Sequence, residues 1–132
     1  MAEIEVEIQS VRQAPVSNKF TLMLKDKTTE RYLPIYIGEA QAFRIKQLLI
    51  GAPLSNQLEP NPLDNIPEDF NLISVVINKF KDNEFFAKLV LKRGEKTKHL
   101  RLQLTEAIIA SVINEVPIFV SKAVFTKTGI TI

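Results

Sequence analysis

The chain contains no cysteine, and this absence removes several classes of site at once. Structural disulfides, thiolate catalysis and cysteine-ligated zinc are all excluded. Histidine occurs once, so there is no His-x-x-x-His pair, and the four glycines form no Gly-x-x-x-x-Gly-Lys phosphate loop. No apolar run reaches the roughly 20 residues that a membrane helix needs.

The first residues, Met-Ala-Glu-Ile-Glu-Val-Glu, lack both the basic and the apolar segment of an export signal. With 45% hydrophobic and 24% charged residues, the composition is that of an ordinary globular protein. A chain of 132 residues is long enough to bury a core without metal or disulfide support. We therefore expect one cytoplasmic domain over residues 1–132, with no membrane association.

Charge is distributed unevenly along the chain. Residues 1–70 carry 7 basic and 10 acidic side chains, a net charge of −3, whereas residues 71–132 carry 10 and 5, a net charge of +5. The surplus gathers on one predicted hairpin, at Lys88, Lys92, Arg93, Lys96, Lys98 and Arg101. Such a patch could neutralise the phosphates of DNA or RNA, with an affinity that falls steeply with salt. The alternative is a solvated hairpin whose lysines protect a sheet edge.

The sequence repeats a pattern at an offset of 67 residues, as from Thr21 to Lys88. Residues 21–25 match residues 88–92, and residues 33–40 match residues 100–107. In each half, alternating apolar residues predict three strands, and a change to helical spacing then predicts one helix. The sequence thus predicts an α+β fold. Its basis is an internal duplication of a β-β-β-α unit, over about residues 1–51 and 72–120, around a shared, mostly antiparallel sheet.

Polar residues mark several predicted element ends. Thr105 is predicted to be the N-cap of a helix over residues 106–115, and Ser121 to cap a short helix before Gly129. The proline-rich residues 52–71 are predicted to connect the two units, with a short helix around residues 63–70.

Residues 31–37 are predicted to form a strand with two different faces. One face carries Leu33, Ile35 and Ile37, and the other carries Tyr32, Pro34 and Tyr36. The two tyrosines could stack nucleic-acid bases, but such a face more often packs against a neighbour or a dimer mate. The single histidine, His99, falls on the corresponding outer face of its own strand and is expected to be a surface residue.

Three segments resemble those of the bifunctional nuclease family, in the same order and at compatible spacings. They are Arg-Tyr-Leu-Pro-Ile-Tyr-Ile-Gly-Glu-Ala at residues 31–40, Asp-Asn-Glu-Phe-Phe-Ala at residues 82–87 and Val-Pro-Ile-Phe-Val at residues 116–120. The resemblance implies a compact α+β domain with duplicated halves, association as a homodimer, and hydrolysis of both DNA and RNA.

The chain departs from that family pattern at two polar segments. Where the family has Thr-His-Asp-Leu, residues 55–58 read Ser-Asn-Gln-Leu. Where it has Asp-x-Arg-Pro-Ser-Asp-Ala, residues 101–107 read Arg-Leu-Gln-Leu-Thr-Glu-Ala, so that Thr105 and Glu106 alone keep the original polar chemistry. An amide can neither act as a base near neutral pH nor bring negative charge to Mg²⁺.

Glu39 and Glu106 occupy matched positions in the two halves, each at the start of a predicted helix. One interpretation makes them, with Thr105, the catalytic residues of a nuclease in which both carboxylates bind Mg²⁺ or Mn²⁺. The other is that each acid stabilises its helix dipole by about 0.3–1 kcal/mol. The first interpretation predicts DNA or RNA hydrolysis. The second predicts a non-catalytic, dimeric module that regulates or binds a partner.

Overall fold

Two-residue alternation of apolar and polar side chains favours strands, which hold more than half of the described residues, and the periodicity changes at the three helices found among them. In a computed structural model, residues 3–13, 19–50 and 69–131 are described. Their elements are β1 (Glu3–Gln13), β2 (Phe20–Asp26), β3 (Arg31–Ile37), α1 (Glu39–Leu49), β4 (Asn71–Lys81), β5 (Glu84–Arg93), β6 (Lys96–Gln103), α2 (Leu104–Asn114), β7 (Ile118–Ser121), α3 (Lys122–Thr128) and β8 (Ile130–Thr131).

The eight strands of these residues form one sheet in the order β6-β5-β4-β7-β1-β2-β3-β8. Neighbouring strands are antiparallel except for β4 and β7, which are parallel. The predicted α+β fold with a mostly antiparallel sheet is therefore confirmed. The order strand-strand-strand-helix occurs twice, and its origin in an internal duplication stays a prediction.

The core lies where the helices cover the sheet. Leu22 and Leu24 from β2, Leu33 from β3, and Leu89 and Leu91 from β5 are fully buried. Helix α2 is buried at five successive residues, from 107 to 111, whereas α1 buries only Ala42 and Ile45. A helix that is apolar all round belongs in the interior, and one with a single apolar stripe belongs at the surface.

Two tight turns set the register of the second three-stranded group. Asp82 and Asn83, between β4 and β5, both have positive φ, at 53° and 64°, as a type I′ turn requires. Between β5 and β6, Gly94 has a φ of 59° at the first turn position. The second turn pairs Arg93 with Lys96, and β5 and β6 then stay in continuous register as far as Phe86 and Gln103.

Of the two predicted caps, one is confirmed and one is wrong. The Ser121 hydroxyl accepts a hydrogen bond from the Val124 amide at 3.3 Å, at the start of α3. Helix α2, however, begins at Leu104, so Thr105 lies inside its first turn rather than at the N-cap. Leu104 packs against the core, and its burial outweighs the roughly 1 kcal/mol that a threonine cap would contribute.

Most of the connection predicted over residues 52–71 lies outside the described residues, including its short helix and the Ser-Asn-Gln-Leu segment at residues 55–58. Across the ranges that are described, no helix is long and apolar enough to cross a membrane. The cytoplasmic location stays a prediction.

Asp26 is a buried acid at the end of β2, with 5% of its surface exposed. Its carboxylate accepts hydrogen bonds from the Thr28 amide at 2.8 Å and from the Thr28 and Thr29 hydroxyls at 2.9 Å each. Burial alone would raise the pKa of Asp26, but these hydrogen bonds and the nearby Lys25 charge bring the pKa below its ordinary value of 3.8. The carboxylate therefore stabilises the turn into β3 only while it is ionised.

Asp26→Asn is expected to lower the free energy of unfolding by about 1–2 kcal/mol at neutral pH. Because the folded pKa is lowered, the stabilisation is present above pH about 4 and is lost as the pH falls through the folded value. Urea unfolding between pH 7 and pH 2.5 should show the two proteins converging in acid. A constant difference over that range would contradict the assignment to an ionised Asp26.

Candidate functional site

A cleft of about 870 Å³ opens where the end of β3 meets the ends of β5 and β6. Its walls come from four parts of the chain: residues 34–38 with Gln41, Phe80 with residues 83–86, residues 102–105, and Thr128. Strands β3 and β6 lie near opposite ends of the strand order. The sheet must therefore curve strongly to bring them to one cleft.

The cleft is lined mainly by neutral side chains. Amides come from Gln41, Asn83 and Gln103, and hydroxyls come from Thr105 and Thr128. Tyr36, Phe80, Phe85 and Phe86 supply aromatic surface, with the Phe80 and Phe85 ring centroids 4.5 Å apart. Glu84 contributes the single carboxylate, and no lysine or arginine is found among the described lining residues. The cleft can thus hold an uncharged, planar or polar group.

Thr105 lines this cleft, whereas Glu106, the next residue, faces α1. The Glu106 carboxylate lies 3.6 Å from Nη1 of Arg44, and about a third of its side chain is exposed. Gln41, which lines the cleft, precedes Arg44 by three residues on the same face of α1. The ion pair therefore lies about one helical turn along α1 from Gln41 in the cleft wall.

Glu39 lies in different surroundings from Glu106. It is exposed and lines a second recess of about 540 Å³, formed also by Gln13, Phe20, Ala40, Phe43 and Lys46. Both glutamates lie in the first turn of their helices, where a carboxylate stabilises the helix dipole. Among residues 3–13, 19–50 and 69–131, no three His, Cys, Asp or Glu side chains form a group that could hold a metal ion.

The six basic residues of the predicted patch are divided between two faces of the β5–β6 hairpin. Cross-strand partners share a face, and Lys88 pairs with Arg101, Val90 with His99 and Lys92 with Thr97. Lys88, Lys92 and Arg101, together with His99, form what we name the basic face. Lys88 Nζ lies 3.2 Å from His99 Nδ1 on this face.

The other three basic residues, Arg93, Lys96 and Lys98, lie on the opposite face near the hairpin tip. There the Arg93 guanidinium and the Lys98 ammonium lie 5.1 Å and 5.9 Å from the ring centroid of Phe70. Their charges act partly as cation–π partners of a residue that packs on the core.

The basic face leads directly into the cleft. The residue pair that follows Lys88 and Arg101 on the same face is Phe86 and Gln103, and both of these line the cleft. Two residues along a strand span about 7 Å, so the last basic pair lies within that distance of the cleft edge. Lys79, the cross-strand partner of Phe86, adds a further cation 6.0 Å from its ring.

A family model of the bifunctional nuclease domain matches residues 22–132. The chain belongs to this family. It is also similar to two uncharacterized proteins of Mycobacterium tuberculosis: MT1877 of strain CDC 1551 / Oshkosh and Rv1829 of strain ATCC 25618 / H37Rv. Each is 25% identical to it over 132 residues, covering 97% of this chain and 77% of the relative. The resemblance inferred from sequence motifs is thereby confirmed.

The part matched to the bifunctional nuclease family contains both the cleft and the basic face. The quoted sequence segments at 31–40, 82–87 and 101–107 contain most of the cleft residues, without indicating that the three segments meet or that Gln41 joins them. The two tyrosines of β3 differ in environment. Tyr32 is 9% exposed and packed as predicted, whereas Tyr36 is 78% exposed at the cleft.

Proposed function

We propose that this bifunctional nuclease family member binds DNA or RNA on its basic face and hydrolyses phosphodiester bonds beside the adjoining cleft. The observation that carries the proposal is the continuity of the two surfaces. On one face of the hairpin, the Lys88–Arg101 pair is the neighbour of the Phe86–Gln103 pair, which lines the cleft. A strand held by its phosphates on the basic face reaches the start of α2, where Thr105 and Glu106 lie.

Thr105 and Glu106 are the residues to which we assign the chemistry. Mg²⁺ is commonly bound through one or two carboxylates, several waters and the substrate's own phosphates, so a complete protein cage is unnecessary. The Thr105 hydroxyl lines the cleft, and the neighbouring Glu106 carboxylate, paired with Arg44 at 3.6 Å, would supply a second oxygen donor after turning from α1 toward the cleft. Mg²⁺ or Mn²⁺, when bound, would activate water and stabilise charge on the phosphate. Glu39, which was expected to share the ion, lines the second recess and not the cleft.

Apolar surface on α1 supports the expected homodimer. Phe43 on α1 and Ile50 at its C-cap are 62% and 78% exposed. Large exposed apolar side chains that cluster are typical of protein interfaces. A non-catalytic, partner-binding role on the same scaffold is the alternative, and it predicts association without cleavage of any nucleic acid.

The double substitution Lys88→Ala/Arg101→Ala is expected to weaken oligonucleotide binding by about tenfold or more at low salt. It should also make the slope of log K against log salt shallower by about 1–2, because two phosphate contacts disappear. Fluorescence anisotropy with a labelled oligonucleotide across a salt series measures both effects.

The matched control is Lys96→Ala/Lys98→Ala, which removes the same charge from the same hairpin but from its other face. Its binding should change by less than about threefold, because those residues do not adjoin the cleft face. Equal losses in the two variants would show that only net charge matters, and would refute a specific basic face.

A further inference from the structure

The cleft and the basic face meet at the Phe86–Gln103 pair but have opposite electrostatic character. Cations occupy the basic face, whereas the charged lining of the cleft, within the described residues, is the single carboxylate of Glu84. That carboxylate repels a phosphate, and the nearest cations, Lys79 and Lys127, lie outside the lining, 6.0 Å and 5.7 Å from the rings of Phe86 and Phe80. Apart from the phosphate that is cleaved at Thr105 and Glu106, the phosphates of a bound strand therefore stay on the basic face, and the cleft receives an uncharged part of the ligand.

Two exposed aromatic side chains line the cleft, and they come from strands near the two ends of the sheet. Tyr36 on β3 is 78% exposed and Phe86 on β5 is 42% exposed. Nucleobases stack on aromatic side chains regardless of sequence, and losing one such contact commonly costs about tenfold or more in affinity. Exposed aromatic rings beside a row of cations are the combination found in proteins that bind single-stranded nucleic acid.

The polar lining suits the edge of a base. The side-chain amides of Gln41 and Gln103 each offer a donor and an acceptor, as the edges of nucleobases do. A volume of about 870 Å³ falls within the usual range of about 300–1,000 Å³ for sites that enclose small molecules. One unpaired base therefore fits the cleft both in size and in chemistry.

We infer that the ligand is single-stranded DNA or RNA, with its backbone on the basic face and an unpaired base in the cleft between Tyr36 and Phe86. This inference rests on the proposed function only in taking nucleic acid as the ligand. In a duplex the bases are stacked and paired, so none can enter the cleft unless it is first unpaired. Duplexes then bind through the basic face alone.

The test compares three labelled ligands of about 12 nucleotides: a single strand, its duplex, and the same strand with abasic sites throughout. The wild-type protein should bind the single strand at least about tenfold more tightly than either of the others. Phe86→Leu and Tyr36→Leu should remove most of this preference while leaving the salt dependence unchanged. Lys88→Ala/Arg101→Ala should weaken all three ligands alike and keep the preference.

Equal affinity for the single strand and the abasic strand would overturn the inference without relying on any variant. A second result would also overturn it: Phe86→Leu converts a dimer to a monomer in light scattering, with no change in single-strand preference. The aromatic pair would then be a contact between two copies of the chain. Base-dependent binding without cleavage would uphold the inference and refute hydrolysis. Cleavage of duplex and single strand at equal rates, unaffected by Phe86→Leu, would uphold hydrolysis and refute the inference.

Discussion

Glu106→Gln is expected to lower the rate of phosphodiester cleavage by about 100-fold or more. The amide keeps the size of the side chain and leaves the fold intact, but it brings no negative charge to Mg²⁺ or Mn²⁺. Glu106 is the carboxylate that adjoins Thr105 at the start of α2, and it pairs with Arg44 at 3.6 Å. The measurement is the cleavage rate of a labelled oligonucleotide with added Mg²⁺ or Mn²⁺, and with EDTA as a blank.

The matched control is Glu39→Gln, since Glu39 occupies the corresponding first turn of α1. It lines the second recess and is exposed, so its substitution should change the rate by less than about threefold. Equal losses of cleavage rate in both variants would instead support a metal site shared by the two carboxylates. If Glu106→Gln cleaves as fast as the wild type, the activity belongs to another site or to a contaminant.

Local patterns predicted the elements better than their arrangement. Leu33, Ile35 and Ile37 recur at every second residue before Gly38, and β3 has the predicted bounds. The position of β7 was not predictable in this way. It inserts between β4 and β1, and its parallel pairing with β4 depends on the packing of α2, not on any pattern within residues 116–121.

The candidate site was predicted only in part, for a related reason. The six basic residues stand out by charge, but their separation onto two faces depends on the register that the Gly94 turn sets. Gln41 and Glu84 meet at the cleft only because the sheet curves, and the alternation of apolar residues in the sequence does not indicate that curvature. Matched positions suggested that Glu39 and Glu106 are equivalent. Their surroundings differ because α2 is buried along residues 107–111, whereas α1 buries only Ala42 and Ile45.

Phe125→Ala is expected to lower the free energy of unfolding by about 3–5 kcal/mol, the largest stability effect that we predict. The Phe125 ring is fully buried, and the Arg31 guanidinium lies 4.8 Å from its centroid. Nη2 of Arg31 also donates a hydrogen bond to the Phe125 carbonyl at 3.3 Å, joining α3 to β3. Urea unfolding measures the loss, and the exposed neighbour Thr126→Ala should change stability by less than about 0.5 kcal/mol.

Gly129→Ala tests the same contact from the other side. Its φ of −73° suits any residue, but an added methyl group would lie 2.6 Å from Cδ1 of the Phe125 ring and 2.6 Å from the Phe125 carbonyl oxygen. We expect a cost of about 1–3 kcal/mol in the wild-type background. In the Phe125→Ala background the ring is gone and the carbonyl remains, so the cost should shrink without vanishing. Strictly additive costs in the double-mutant cycle would mean that the ring is not the obstacle, and that Gly129 is required by its close approach to the α3 backbone alone.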